Sequence, residues 1–258
     1  MAPSAAGRRL KQRQELMSRI YAVGIGPGDK EMMTEQARKV LEQSDIIVGY
    51  KTYIDIVRNY YPDKEYLESG MRQETERCKK CIELAKEGRT VALVCSGDAG
   101  IYGMASPLLE AAEEESFDDI EIIPGITAAL SGAAVLGAPV GHDLCIISLS
   151  DLLTPWEQIV KRLRAAAEGD FCIALYNPSS HKRADYLKKA CEILMEKISP
   201  DTACGYVKNI GREGTVCKVC TLTELADEQV DMFTTVFIGN SMTKAVNGRL
   251  ITPRGYRE

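Results

Sequence analysis

The sequence predicts an α/β fold in two domains, and three observations lead there. Short β-branched runs alternate with longer amphipathic stretches, glycine-rich loops follow several of the runs, and a Gly-Pro turn near mid-chain separates two such series. In the first series the expected strands are residues 20–25, 46–48, 91–95 and 120–123, with helices near 34–43, 74–86, 102–112 and 127–136. Thr34 is a plausible N-cap, and Met33, Ala37, Val40 and Leu41 are spaced to bury one face of the helix it opens. Gly137-Ala138-Pro139-Val140-Gly141 then breaks the pattern and serves as the expected boundary. In the second series the strands are 145–149, 171–176, 203–207, 216–220 and 235–238, with helices at 156–167 and 183–197. Fewer helices per strand imply a mixed sheet with some antiparallel pairing. The expected division is a flexible leader at residues 1–18, one α/β domain at 19–139 and another at 140–258.

Length and composition agree with this picture. The chain has 258 residues, 45% of them hydrophobic and 27% charged, enough for one large or two small domains. No apolar run approaches the roughly 18 residues of a membrane span. Arg8, Arg9, Lys11 and Arg13 crowd the leader, but no apolar stretch follows, so it does not read as a secretory signal. A formal net charge of -5 gives no support to nucleic acid or an anionic membrane as partner.

Nine cysteines without an export signal point to reduced thiols in the cytoplasm. Cys78 and Cys81 share a helical stripe with Ile82 and Ala85, which explains them as small buried hydrophobes. Cys217 and Cys220 fall three apart on a strand, so they face opposite ways and cannot chelate together. No metal site is expected.

The densest signal for chemistry is Val23-Gly24-Ile25-Gly26-Pro27-Gly28-Asp29, directly after the first strand. Glycines there permit positive φ and close backbone approach to a nucleotide-like ligand. The spacing is not the dinucleotide fingerprint: Pro27 sits inside the loop, and no acidic residue ends the second strand to hold a ribose. A nicotinamide oxidoreductase is therefore the alternative reading, not the first. Ser96-Gly97-Asp98-Ala99-Gly100 and Pro124-Gly125-Ile126-Thr127-Ala128-Ala129 end two further strands. Three glycine-containing loops at three strand ends would converge on one crevice. Asp98 offers a charge to a cation, and the helix N-termini favour a carboxylate, which together suit S-adenosylmethionine.

These segments, with Ala174-Leu175-Tyr176-Asn177-Pro178 and Gly239-Asn240-Ser241, resemble the tetrapyrrole (corrin and porphyrin) methyltransferases in the same order along the chain from Ser18. Within that family, Gly49-Tyr50-Lys51-Thr52-Tyr53-Ile54-Asp55, Gly100-Ile101-Tyr102-Gly103-Met104-Ala105 and residues 136–143 and 147–156 resemble the branch acting at carbon 17 of a corrin precursor. The branches acting at carbons 11 or 20 are the alternatives. The resemblance implies two α/β domains with the active site in the cleft between them, a homodimer, and methylation coupled to ring contraction in cobalamin synthesis. Donor contacts would come from Pro27, Ser96, Gly97, Asp98, Ile101, Thr127, Ala128, Asn177, Gly214 and Thr215, and S-adenosylhomocysteine would be the product. Where porphyrinogen-methylating relatives carry an aspartate after the second strand, this chain has Tyr50 followed by Lys51.

Methyl transfer from a sulfonium needs alignment more than a strong base. Tyr50, Lys51 and His142 are the candidates for moving protons or polarising an oxygen. Gly26, Gly28, Tyr53 and Arg212 are expected to touch the substrate, a polycarboxylate that Lys51, Arg58, Arg72 and Lys208 could also serve. Tyr102 and Tyr176 are candidates for stacking, and His181 is a weaker candidate than His142. Asp98→Ala and Thr127→Val should weaken donor binding with the fold intact. The thiol count favours a cobalt-containing substrate over a metal-free one. A non-catalytic carrier of cobalt or an iron–sulfur cluster on Cys217 and Cys220 is a further alternative.

Overall fold

The computed structural model describes residues 19–180 and 183–256, so the leader and His181 lie outside the described residues. The chain forms two compact units that divide between Thr127 and Ala128.

The N-terminal unit is a parallel five-stranded sheet of β1 (Ile20–Gly24), β2 (Ile46–Tyr50), β3 (Glu65–Ser69), β4 (Val91–Cys95) and β5 (Ile120–Ile123), in the order β3-β2-β4-β1-β5. Its helices are α1 (Glu35–Gln43), α2 (Lys51–Arg58), α3 (Glu74–Lys86) and α4 (Ala105–Glu115). Strand residues alternate between two cores. Val23, Ile47, Ala92 and Val94 pack with Ala37, Leu41, Ile54 and Val57 of α1 and α2. Ile20, Ala22, Val48 and Leu93 pack with Cys78, Cys81, Ile82 and Leu108 of α3 and α4. The chain thus leaves β1 and its neighbour β4 toward opposite faces, which opens a crevice beyond their carboxyl ends. Thr34 caps α1 as expected, its hydroxyl accepting from the Ala37 amide at 3.1 Å.

The C-terminal unit contains α5 (Ala128–Leu136), β6 (Gly137–Ala138), β7 (Leu144–Ser148), α6 (Trp156–Glu168), β8 (Cys172–Tyr176) and α7 (Tyr186–Leu194). It continues with β9 (Ala203–Lys208), β10 (Val216–Thr221), the single-turn α8 (Leu222–Leu225), β11 (Thr234–Ile238), β12 (Lys244–Val246) and β13 (Arg249–Ile251). The main sheet, in the order β10-β9-β11-β8-β7, pairs β7 and β8 in parallel and is otherwise antiparallel, the mixed sheet that the sparse helices implied.

The unit boundary precedes the expected Pro139 turn. Gly132 of α5 lets the helix lie against Phe237 and Ile210, where a Cβ would come within 2.8 and 2.9 Å of their side chains. Ala129, Ala133 and Leu136 join the same core, and β6 pairs with β13, so α5 and β6 belong with the later strands. The sequence reading also missed β3, α2 and the three-stranded sheet β12-β13-β6. Helix α4 starts at Ala105 rather than near residue 102 because Tyr102 takes a left-handed φ of 54°.

Cys78 and Cys81 are buried on α3, and on β10 Cys217 is exposed while Cys220 is buried. Burial pushes the thiols of Cys78, Cys95 and Cys220 up to about 11 and that of Cys191 to about 12. Their folded pKa values lie above an unfolded value of about 8.5, so this contribution is complete below that pH and is lost as pH rises through 11 to 12. Denaturant unfolding at stepped pH should show stability falling between about pH 8.5 and 11. At pH 8 a thiol reagent should take Cys217 first. A flat pH profile, or rapid labelling of Cys81 in the native protein, would contradict the burial.

Candidate functional site

Three strand ends of the N-terminal unit meet in glycine backbone. Gly26 and Gly97 exchange two hydrogen bonds, Gly26 N to Gly97 O at 3.0 Å and Gly97 N to Gly26 O at 2.7 Å. A Cβ on Gly24 would lie 2.7 Å from both Gly125 N and Gly97 O, and one on Gly125 only 2.1 Å from Gly97 O. Gly26 and Gly97 adopt φ of 72° and 71°, a region that glycine occupies without steric cost. The expected convergence of the loops after β1, β4 and β5 is therefore real, and close contact explains the glycines.

Asp98 ties these loops together. Its Oδ1 accepts from the amides of Gly100 at 2.8 Å and Ile101 at 3.1 Å, while Oδ2 accepts from Gly125 N at 2.9 Å. The carboxylate thus holds the β4 loop in shape and clamps the β5 loop to it, so removing it would not leave the site intact. Ser96 lies half-buried beside Gly97, Thr127 is buried, and Ile101 and Tyr102 are exposed. Pro27 is buried, and the Gly28 carbonyl accepts from the Tyr60 hydroxyl at 3.3 Å.

Tyr50, Lys51 and Tyr53 stand at the carboxyl end of β2, whose Gly49 pairs with Val94, so they share the sheet edge with the β4 loop. The Tyr50 and Tyr53 rings meet edge to face at 5.3 Å. Lys51 and Arg58 both reach Glu68, each at 3.4 Å, on the surface. Arg58 also pairs with Asp55 at 3.5 Å, so the two cations face two carboxylates beside the edge. Arg72 is exposed, in a left-handed conformation with φ of 65°.

Sequence reasoning missed Arg77, a 5% exposed cation on α3. Its Nε donates to Ser69 Oγ at 2.7 Å, Nη2 to Gly70 O at 2.8 Å and Nη1 to Met104 Sδ at 3.6 Å. Among the described residues no carboxylate lies within ion-pair distance of it. The guanidinium links the end of β3 to the residue that opens α4, with its charge uncompensated. Its only sequence signal was an arginine next to the Cys78 stripe.

In the C-terminal unit the remaining candidates occupy three places. His142 Nε2 donates to the Pro253 carbonyl at 2.7 Å, which binds the last stretch of chain and leaves Nδ1 as its basic nitrogen. Asn177, at the end of β8 with φ of 52°, donates from Nδ2 to Ser148 Oγ at 2.9 Å. The exposed Gly214-Thr215 turn is held by Thr215 Oγ1, which lies 2.8 Å from the carbonyls of both Asn209 and Arg212. Arg212 stacks at 5.8 Å over Phe233, and Lys208 pairs with Asp231 at 2.7 Å. The Tyr176 hydroxyl accepts from the Ala129 amide at 2.6 Å, so it caps the start of α5 beside Ala128.

The segment at residues 147–156 is equally built. Asp151 accepts from Tyr186 Oη at 2.7 Å and from Arg183 Nη1 at 2.9 Å. The tyrosine first, then the arginine, hold its carboxyl below the usual range. This clamp presents Leu152 and Leu153 to solvent, 59% and 98% exposed.

Residues 19–226 match the tetrapyrrole (corrin/porphyrin) methylases. The chain belongs to that family. This methylase is 47% identical to a protein of Salmonella typhimurium named probable cobalt-factor III C(17)-methyltransferase, over 92% of this chain and 99% of that one. It is 41% identical to the cobalt-factor III methyltransferase of Priestia megaterium over 94% of its own length, but spans only 46% of that longer protein. The crystal structure of the methyltransferase CobJ superposes with a TM-score of 0.85 at 37% identity, covering 91% of this chain and 99% of that one. The α/β architecture expected from the sequence is thus that of the tetrapyrrole methylases. No helix among the described residues is long and apolar enough to cross a membrane.

Proposed function

We propose that this methylase transfers a methyl group from S-adenosylmethionine to carbon 17 of a cobalt-containing corrin precursor of the cobalt-factor III class, with contraction of the ring, in cobalamin biosynthesis. The observation that carries the reading is near-full-length identity of 47% to the Salmonella protein of that name. It acts as a homodimer in the cytoplasm, the assembly and compartment the sequence reading implied. The relatives' names favour the cobalt substrate over the metal-free one, in line with the thiol count.

The donor supplies an electrophilic methyl whose transfer leaves a neutral thioether. The glycine crevice fits such a ligand: beyond the clasped Gly26 and Gly97 it presents backbone, with no side chains on those two residues to hold the donor off. Pro27, Ser96, Gly97, Ile101 and Thr127 would bind it, with Asp98 fixing their shape. Ala128, Asn177, Gly214 and Thr215 would complete its contacts. Orientation of the two reactants is the main catalytic contribution, worth up to about 7–11 kcal/mol when reacting atoms are held near 3–3.5 Å. The Lys51 and Arg58 cations meet substrate carboxylates alongside Arg72, Lys208 and Arg212, while Gly26, Gly28 and Tyr53 border the macrocycle. Tyr50 and Lys51 handle the proton or polarise the migrating oxygen, and His142 contributes through Nδ1.

Anaerobic incubation with methyl-labelled S-adenosylmethionine and cobalt-factor III, with metal-free precorrin-3B in parallel, tests this. Mass and carbon NMR should place the label on carbon 17 of a contracted ring in the cobalt tube. No transfer in either tube, with no binding of S-adenosylhomocysteine, would end the reading. Tyr50→Phe and Lys51→Met should each lower kcat by about a hundredfold with the melting temperature preserved, the scale of lost proton handling. Wild-type turnover in both variants would remove them from the chemistry.

A further inference from the structure

Arg77 is a buried cation to which the chemistry above gives no part. It lies on the buried side of α3 with Cys78 and Cys81. Desolvating a cation that has no counter-ion disfavours the folded state, and an apolar side chain would extend that face at lower cost. Packing of α3 therefore does not explain an arginine at this position, whereas its hydrogen-bond partners do.

One side of the guanidinium rests on a loop that is already fixed. Met104, whose sulfur accepts from Nη1, is 7% exposed and closes the loop after β4. There Asp98 binds the amides of Gly100 and Ile101, and Ala105 N donates to Ala99 O at 3.0 Å. A thioether is a weak acceptor, so this loop holds its shape without the arginine.

The loop after β3 depends on its neighbour. Gly70, Met71 and Arg72 are exposed, and the start of α3 supplies their hydrogen bonds. Gln73 Oε1 accepts from Gly70 N at 2.7 Å and Glu74 Oε1 from Arg72 N at 3.3 Å, both in solvent, where water competes. The bonds from Arg77 to Ser69 Oγ and the Gly70 carbonyl are the part-buried ones. Ser69 is the register partner of Tyr50, so these two bonds set the loop beside the carboxyl end of β2. A planar guanidinium reaches both acceptors at once in fixed geometry, which an ammonium does not.

We propose that Arg77 is a positioning residue for the substrate: its guanidinium holds residues 69–72 against the loop after β4 and so keeps Arg72 where a carboxylate of the corrin precursor binds. The inference rests on the reading of Arg72 as a carboxylate contact and adds the group through which that contact is held.

Steady-state kinetics of the full chain with cobalt-factor III, with calorimetric titration of S-adenosylhomocysteine, tests it. Arg77→Gln should raise KM for the corrin about tenfold, the scale of one weakened charge-assisted contact, with kcat and donor affinity within about twofold of wild type. Arg77→Lys keeps the charge but not the fork and should raise KM nearly as far. In an Arg72→Met background Arg77→Gln should raise KM no further, because both changes remove one interaction. If Arg77→Gln does not fold, Ser69→Ala decides: it deletes only the Nε acceptor, should raise KM about threefold, and should add nothing to Arg72→Met. Wild-type KM in Arg77→Gln or Arg77→Lys, a loss of donor affinity equal to the change in KM, or effects that multiply with Arg72→Met would overturn the positioning role. Absence of turnover in the wild type would instead strike the assigned substrate, and the proposal with it.

Discussion

Gly125→Ala is expected to abolish binding of S-adenosylhomocysteine and to lower the unfolding free energy by about 3 kcal/mol, the upper end for an overpacked site. The added Cβ would stand 2.1 Å from Gly97 O and 2.7 Å from the carbonyl carbon and oxygen of Gly24. These are backbone atoms of neighbouring strand ends, so no rotamer change relieves the contact. The loops after β1, β4 and β5 would have to separate, taking with them the Gly26–Gly97 clasp and the bond from Gly125 N to Asp98. Gly88→Ala is the matched control, because Gly88 has a positive φ of 93° but nothing within 4 Å of the new Cβ. It should cost only about 1 kcal/mol of backbone strain and leave binding unchanged. Denaturant unfolding and calorimetric titration measure both quantities. If Gly125→Ala binds with wild-type affinity, the three-loop contact is not the donor's cradle.

What the sequence disclosed, and what it hid, follows from how local each cause is. The strands β4 and β5 and the helix α3 were legible to the residue, because period and burial coincide within each run. The edge strand β3, Glu-Tyr-Leu-Glu-Ser, keeps its charged residues in solvent and does not read as a strand by composition. Helix α2 follows β2 without a loop and has no side-chain cap at Tyr50, so nothing marks its start. Strands of two or three residues, such as β6, β12 and β13, carry too few residues for a period. The site divides the same way. Glycine loops advertised the crevice, since only close backbone approach explains so many glycines there. The destination of the Asp98 carboxylate, the Arg77 guanidinium and the Tyr176 hydroxyl depends on residues far away in sequence, 27 positions in the bonds from Asp98 to Gly125 and from Arg77 to Met104, and 47 from Tyr176 to Ala129. Their roles therefore emerge only from the folded chain.

Asp98→Ala should lower stability by about 3 kcal/mol and weaken donor binding by more than tenfold, against the sequence-based expectation that the fold would be untouched. The side chain accepts from three amides, and charge-assisted bonds contribute about 1.5–3 kcal/mol each before solvent compensates at a half-buried position. Asp98→Asn separates the two ways this residue can matter. An asparagine keeps one oxygen for Gly100 and Ile101 but turns an amide NH2 toward Gly125 N–H, so two donors face each other across the gap now bridged at 2.9 Å. If Asp98 serves by holding the loops, Asn should retain part of the stability and part of the affinity, with the residual loss tracking the Gly125 contact. If it serves only as a charge opposite the donor's cation, Asn and Ala should bind equally poorly while Asn melts like the wild type. Thermal melts and calorimetry on the three proteins distinguish these outcomes, and the geometry favours the first because both carboxylate oxygens already face backbone N–H groups.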